Sequence, residues 1–146
     1  MNPIIEKSWN YSEEEYDHGH DFIQCAFPTD KVSMFNPDAP LITTETAESI
    51  GLDRSFDRFI EQLGIGYEQD QFVISNRDRF DKYIMRQNHT FLRVSRVLRS
   101  LFLLDRKDKA FQFNEFLQSF KDIRKGTDYD NECRQLSYKY WNESLM

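Results

Sequence analysis

The sequence predicts one all-α domain of about six or seven helices, and three observations carry that expectation. Apolar residues recur at three- and four-residue spacing through several separate segments, which is the period of a half-buried helix. Charged residues make up 30% of the chain while Gly and Pro number only 5 and 4, so few breakers interrupt those segments. Thirteen Phe residues supply a core, and a chain of 146 residues can bury roughly 70% of its unfolded surface without disulfide or metal staples. Residues 1–146 therefore read as a single domain.

The elements follow in order. Trp9 and Tyr11 can tack the N-terminus onto the core. Ser12 and Glu15 have capping-box spacing and start a short helix that Gly19 interrupts. A second short helix runs from about Asp21 to Phe27, where Pro28 forbids continuation. Asn36-Pro37 and Ala39-Pro40 hold the following turn extended, because the residue before a proline avoids the α region. Thr43 or Thr44 then caps a helix through Ala47, Ile50, Phe56, Phe59, Ile60 and Leu63, which Gly64 and Gly66 terminate. Phe72-Val73-Ile74 could form a strand but has no partner strand in view, so residues 67–76 read as an apolar loop. Helix resumes near Asn76 with Phe80, Tyr83 and Ile84 on one face. The most regular segment spans 88–104: Phe91, Val94, Leu98, Leu101 and Phe102 share a wide face, while Leu92 and Leu103 lie on the other side. Apolar residues on both sides place this helix at the centre of the domain. Asp108 is the expected cap of the next helix, with Ala110, Phe113, Phe116, Leu117, Phe120 and Ile123 as its stripe up to Gly126. Thr127 caps a last helix, about 127–145, with Tyr129, Cys133, Leu136 and Tyr140 at helical spacing.

The charge balance, 19 basic against 25 acidic residues, gives −6. Phosphate contacts supply most non-specific affinity for nucleic acid, so general nucleic-acid binding is not expected. Cys25 and Cys133 stand far apart without metal-like spacing, which fits reduced thiols. No apolar run approaches the ~20 residues that span a bilayer, and the polar, acidic N-terminus does not read as a secretory signal. A soluble, intracellular, cytoplasmic protein is the expectation.

Two blocks carry a family resemblance. The first is His20-Asp21-Phe22-Ile23-Gln24-Cys25-Ala26-Phe27-Pro28, followed by Asn36-Pro37-Asp38-Ala39-Pro40. The second is Asn88-His89-Thr90-Phe91-Leu92-Arg93-Val94-Ser95-Arg96-Val97-Leu98-Arg99, continued by Leu103-Leu104 and Ala110 to Phe113. In this order they resemble the opioid growth factor receptor N-terminal domain family, over about residues 9–120. The chain departs from that pattern in having Cys25 where the family has Trp, and Asp105 where it has Gly after the Leu pair. Ile65-Gly66-Tyr67 only loosely echoes the family's aromatic-Gly element. Animal members are described as receptors for an opioid peptide, so the resemblance implies a binding module rather than an enzyme.

Each candidate site has two readings. His20 and Gln24 lie one helical turn apart, and Asn36 and Asp38 sit in the proline turn. They are candidate binding residues, or a clasp in which His20 or Gln24 bonds the 33–42 segment and the turn is braced by Asn36, since buried polar groups must be paired. His89, Arg93, Arg96 and Arg99 form a stripe that is either an anion site or a set of internal pairs with carboxylates. His18 and His20 are two apart, about 200° around a helix, which is wrong for a shared metal. Cys25 and His20 lack the spacing of a nucleophile and its base. No Gly-rich phosphate loop, Gly-x-Ser-x-Gly elbow or His-Glu-x-x-His is present. No cofactor is expected. A non-enzymatic module that binds a protein or peptide partner, and a small acidic inhibitor or decoy that engages a nucleic-acid-binding protein, both fit. A weaker third option is an enzyme or nucleotide-binding domain using the His89–Arg96 stripe.

Overall fold

The computed structural model describes residues 1–31 and 41–146. Among them are eight helices and one two-stranded antiparallel sheet, so the domain is mostly helical rather than purely so. The helices are α1 (Pro3–Ser8), α2 (Glu13–His18), α3 (Phe22–Ala26), α4 (Leu52–Gln62), α5 (Arg77–Tyr83), α6 (Thr90–Leu103), α7 (Lys107–Gln118) and α8 (Asp128–Glu143). The strands are β1 (Ile65–Glu68) and β2 (Gln71–Ile74).

The helix that the periodicity did not predict is α1, which starts where Asn2 accepts from the Ile4 amide and Pro3 fills the first turn. Trp9 follows it and donates its indole N–H to Ser55 Oγ at 2.8 Å, fixing the N-terminus to α4. Ser12 and Glu15 make the expected capping box on α2, and Gly19 ends that helix. The helix expected from Thr43 or Thr44 begins later, at Leu52. Gly51 just before it has φ +64, a left-handed backbone that breaks the apolar run from Ala47 and Ile50.

Residues 67–76 are not a loop. β1 and β2 pair in register Ile65↔Ile74 and Tyr67↔Phe72. The turn places Gln69 at φ +51 and Asp70 at φ +62. Two consecutive positive φ values are the demand of a tight primed turn, ordinarily met by Asn-Gly or Asp-Gly. Gln-Asp meets it here without that signature, and the partner strand is hidden behind Gly64 and Gly66. Gly64, at φ +72, closes the hairpin base: its carbonyl accepts from Ser75 N at 2.8 Å and Asn76 N at 3.1 Å.

α6 packs against α7 and α8, with Val94, Val97, Leu98 and Leu101 fully buried. It is not enclosed on every side, because Leu92 is 57% exposed. Arg106, not Asp108, occupies the N-cap position of α7. Phe56 of α4, Phe72 of β2 and Phe113 of α7 meet edge-on or tilted at 5.2–6.1 Å and join the sheet to the bundle. On α8 the capping box of Thr127 and Asp130 forms. The residues facing the core are Asn131, Arg134, Tyr138 and Trp141, whereas Tyr129, Leu136 and Tyr140 face solvent. No described helix is long and apolar enough to cross a membrane.

Candidate functional site on the α6 seam

A six-residue helix cannot hold its own hydrogen bonds in water, so α2 depends on its neighbours. Its last carbonyls point at α6. Arg93 donates Nη1 to Tyr16 O at 2.8 Å and Nη2 to the carbonyls of Asp17 (3.3 Å) and Gly19. One turn earlier, His89 Nε2 lies 3.0 Å from both the carbonyl and the carboxylate of Asp17. Cationic and donor groups at a helix C-terminus answer its unpaired carbonyls and its negative dipole end. Burial pulls the Arg93 pKa down from its ordinary value, with Tyr16 and Asp17 opposing the shift; a guanidinium remains charged nonetheless.

The next two arginines reach other ends. Arg99 makes a two-point contact with Asp30, at 2.8 and 3.2 Å, and donates to Met146 O at 2.8 Å, so it ties the segment after α3 to the chain beyond α8. The hydrogen bonds from Arg99 hold the Asp30 carboxyl below the usual range. Arg96 is less satisfied. Its Nη2 makes one long contact, 3.5 Å, with Gln24 O, and its buried Nε has no partner among the described residues. Burial lowers its pKa, and Cys25 is the neighbour that opposes the shift. Desolvation in turn pushes the Cys25 thiol up, so the sulfur is held as a thiol, not as a nucleophilic thiolate.

Asn88 completes the seam. Its amide nitrogen donates to the carbonyls of Lys82, Tyr83 and Arg86, while its oxygen accepts from Thr90 N at 2.7 Å. One side chain thus closes the end of α5 and opens α6. Arg58 and Gln62 of α4 grip the other side of α2, and the sequence reading missed them. Arg58 Nη2 donates to Tyr11 O at 2.9 Å and to Gln62 Oε1 at 3.1 Å; Gln62 donates to Glu13 O and the Tyr83 hydroxyl. The Arg58 guanidinium lies 4.3 Å over the Tyr16 ring, Tyr16 and Phe22 pack at 4.6 Å, and Arg93 lies 5.6 Å over Phe22. Arg58 and Gln62 fall four apart in Leu52–Gln62, which shows a shared face but not a buried one.

His20 is exposed and precedes α3, so it does not share a helix face with Gln24. Gln24 is half-buried, and its Oε1 has no hydrogen-bond partner among the described residues. Asn36 and Asp38 lie outside the described residues, as does most of the 33–42 segment of the clasp. Its last two residues are described, and there Ile42 N donates to Thr29 O at 2.9 Å. The structure therefore brings His89, Arg93, Arg96 and Arg99 together along α6. Gln24 joins them only through its main-chain oxygen, and His20 does not. Cys25 lines an open hollow of about 310 Å³ with Asn2, Ile5, Pro28, Ser49 and Ile50. Among the described residues no group of three or more His, Cys, Asp or Glu is placed to hold a metal. Comparison with protein-family models, with curated proteins and with solved structures gives no match.

Proposed function

We propose that the chain is a non-enzymatic interaction module, of the kind its resemblance to the opioid growth factor receptor domain implies, and that it binds a basic protein or peptide. The observation that carries this reading is the division of charge. Residues 1–76 contain 15 acidic and 4 basic residues, whereas residues 77–146 contain 10 and 15. Part of the acidic excess is spent inside the molecule: Glu13, Asp17, Asp30, Glu48 and Asp53 pair with bases of the second half. Glu14, Asp21, Asp57, Glu61, Glu68 and Asp70 remain exposed with no ion-pair partner among the described residues. Meanwhile Arg93 and Arg99 donate to protein oxygens, which favours structural pairing over an anion site on the stripe. Such a surface steers basic partners and repels phosphate backbones.

The second reading, an acidic decoy for a nucleic-acid-binding protein, draws on one feature. Asp57 and Glu61 stand on successive turns of α4, about 6 Å apart along its axis, as a pair of exposed anions without an ion-pair partner among the described residues. Fluorescence anisotropy with a Lys/Arg-rich peptide, an acidic peptide of equal length and duplex DNA tests both. The module reading expects binding of the basic peptide that weakens with salt and drops at least tenfold in Asp57→Lys/Glu61→Lys. It expects none for the acidic peptide or for DNA. The decoy reading expects the protein to displace duplex DNA from a basic DNA-binding protein as well. Equal affinity for the two peptides contradicts both.

A further inference from the structure

The outward face of α8 is apolar where it need not be. On its inward face Arg134, Tyr138 and Trp141 are buried, and Arg134 donates to the carbonyls of Phe120 and Ile123 and to the Tyr138 hydroxyl. At about 100° per residue, Tyr129, Cys133, Leu136 and Tyr140 fall together on the side opposite that core. Tyr129 is 63% exposed, Leu136 52% and Tyr140 50%. A helix that buries one stripe and displays a second, about 16 Å long from Tyr129 to Tyr140, has a face without a partner in the single chain.

The charges beside this stripe say what covers it. Glu132 and Lys139 flank the same edge, both exposed, and neither has an ion-pair partner among the described residues. They are seven residues apart, one on each side of Leu136. When two copies of such a helix cross antiparallel about a two-fold axis, residues at equal distances on either side of the axis meet along the same edge. With the axis next to Leu136, Glu132 of each copy meets Lys139 of the other, and the two leucines meet each other. Tyr129 of each copy comes alongside Tyr140 of the second, at nearly equal height. One register thus satisfies both charges twice and covers the apolar side chains, as an isologous interface requires. In a parallel arrangement the two-fold axis runs along the helices and carries this edge to opposite sides of the interface in the two copies, so Glu132 and Lys139 do not meet.

We propose that the occupant is a second copy of this chain, and that the protein forms an antiparallel, two-fold symmetric dimer through the Tyr129–Tyr140 face of α8. The patch is smaller than the about 800 Å² per partner of a standard stable interface, so the association is weak, with a Kd on the order of 100 μM. The dimer goes beyond the binding-module reading and does not depend on it, since the acidic surface of the N-terminal half lies on other elements.

Sedimentation velocity of the full chain from about 10 μM to 1 mM reads the association directly. The expected result is a concentration-dependent shift from monomer to dimer that Leu136→Glu abolishes, with an unchanged helical circular dichroism spectrum because Leu136 is an exposed position. Glu132→Lys alone weakens the dimer at least tenfold, and Glu132→Lys/Lys139→Glu restores it. In a Cys25→Ser/Cys133→Ser background, Leu136→Cys oxidises to a covalent dimer, while Tyr129→Cys, whose copies are about 20 Å apart along the helices, does not. A protein that stays monomeric at 1 mM overturns the proposal. So does a dimer that survives Leu136→Glu, one that the double charge exchange fails to restore, or one that cross-links at residue 129 instead of 136.

Discussion

At the residue scale, this fold relies on long polar side chains that end other helices. Arg93 and Asn88 donate to main-chain oxygens that end α2 and α5, Arg58 to Tyr11 just before α2, and Arg99 to Met146 beyond α8. Arginine suits that task because its fork reaches several carbonyls and its charge favours the dipole end of a helix. The sequence showed the arginine spacing on α6, but carbonyls leave no trace in a sequence, so ion pairing with side-chain carboxylates was the natural internal reading. Only Arg99 among the three follows it. Two backbone positions make sharper tests. A Cβ on Gly64 would overlap the Asn76 carbonyl oxygen and lie 2.8 Å from Phe80 N, at φ +72. Gly64→Ala should therefore cost about 2–4 kcal/mol in urea unfolding. Asp105 sits at φ +64, just after the helix end at Leu104. A glycine is the strain-free residue at such a position, and Asp105→Gly should raise the melting temperature, by up to about 1 kcal/mol of stability.

At the element scale, helices with one clear apolar face were legible. α5 and α6 lie where the periodicity put them, and Ser12 and Thr127 cap the helices they were expected to cap, but α7 stops at Gln118, short of Phe120 and Ile123 in its expected stripe, and Ile123 is 50% exposed. The failures have physical causes. The hairpin carries no turn signature, because Gln69 and Asp70 adopt positive φ without a glycine. α8 shows two stripes, and the more apolar one faces solvent, since the core-facing stripe is built on Asn131, Arg134, Tyr138 and Trp141. Arg134 and Asn131 are polar residues whose hydrogen bonds are internal, and hydropathy counts such residues as exposed. Burial on α6 gives the element-scale prediction. Leu98 and Leu101 are fully buried, and replacing either by Ala should cost about 2–5 kcal/mol by chemical denaturation. Leu92→Ala, at an exposed position of the same helix, should change stability by less than about 0.5 kcal/mol.

At the scale of the whole molecule, an acidic N-terminal half is folded onto a basic C-terminal half. Pairs that join the two include Glu13 with Arg79, Asp30 with Arg99, and Asp53 with Arg106 and Lys109. Each is worth little at the surface, but they share one sign and so respond together to pH and salt. The carboxyls of Asp30, Asp53, Glu48 and Asp130 are held below their usual range, the first three chiefly by hydrogen bonds from arginine or their own backbone and the last by the amides of Thr127 and Gln87. A carboxylate with a lowered folded pKa stabilises above its unfolded value, about 4, and loses that contribution as pH falls through the folded one. Asp57, raised by burial, acts in the opposite direction. Stability should therefore fall as pH drops from about 5 to 3, and the loss should shrink in 1 M NaCl; an unfolding midpoint that is flat over this range would show that the pairs joining the halves contribute nothing.

The face of α6 that bears the second motif closes neighbouring chain ends, with Arg93 on the carbonyls that end α2 and Arg99 on Met146 beyond α8. Equilibrium urea unfolding of Arg93→Met, compared with the parent and with Leu92→Ala, measures how much that closure contributes to stability. Removing the guanidinium leaves the carbonyls of Tyr16, Asp17 and Gly19 without their donor. The predicted loss is about 3 kcal/mol, accompanied by early loss of the Tyr16–Phe22 packing. An Arg93→Met protein that unfolds at the same urea concentration as the parent would show that Arg93 does not hold α2 to α6.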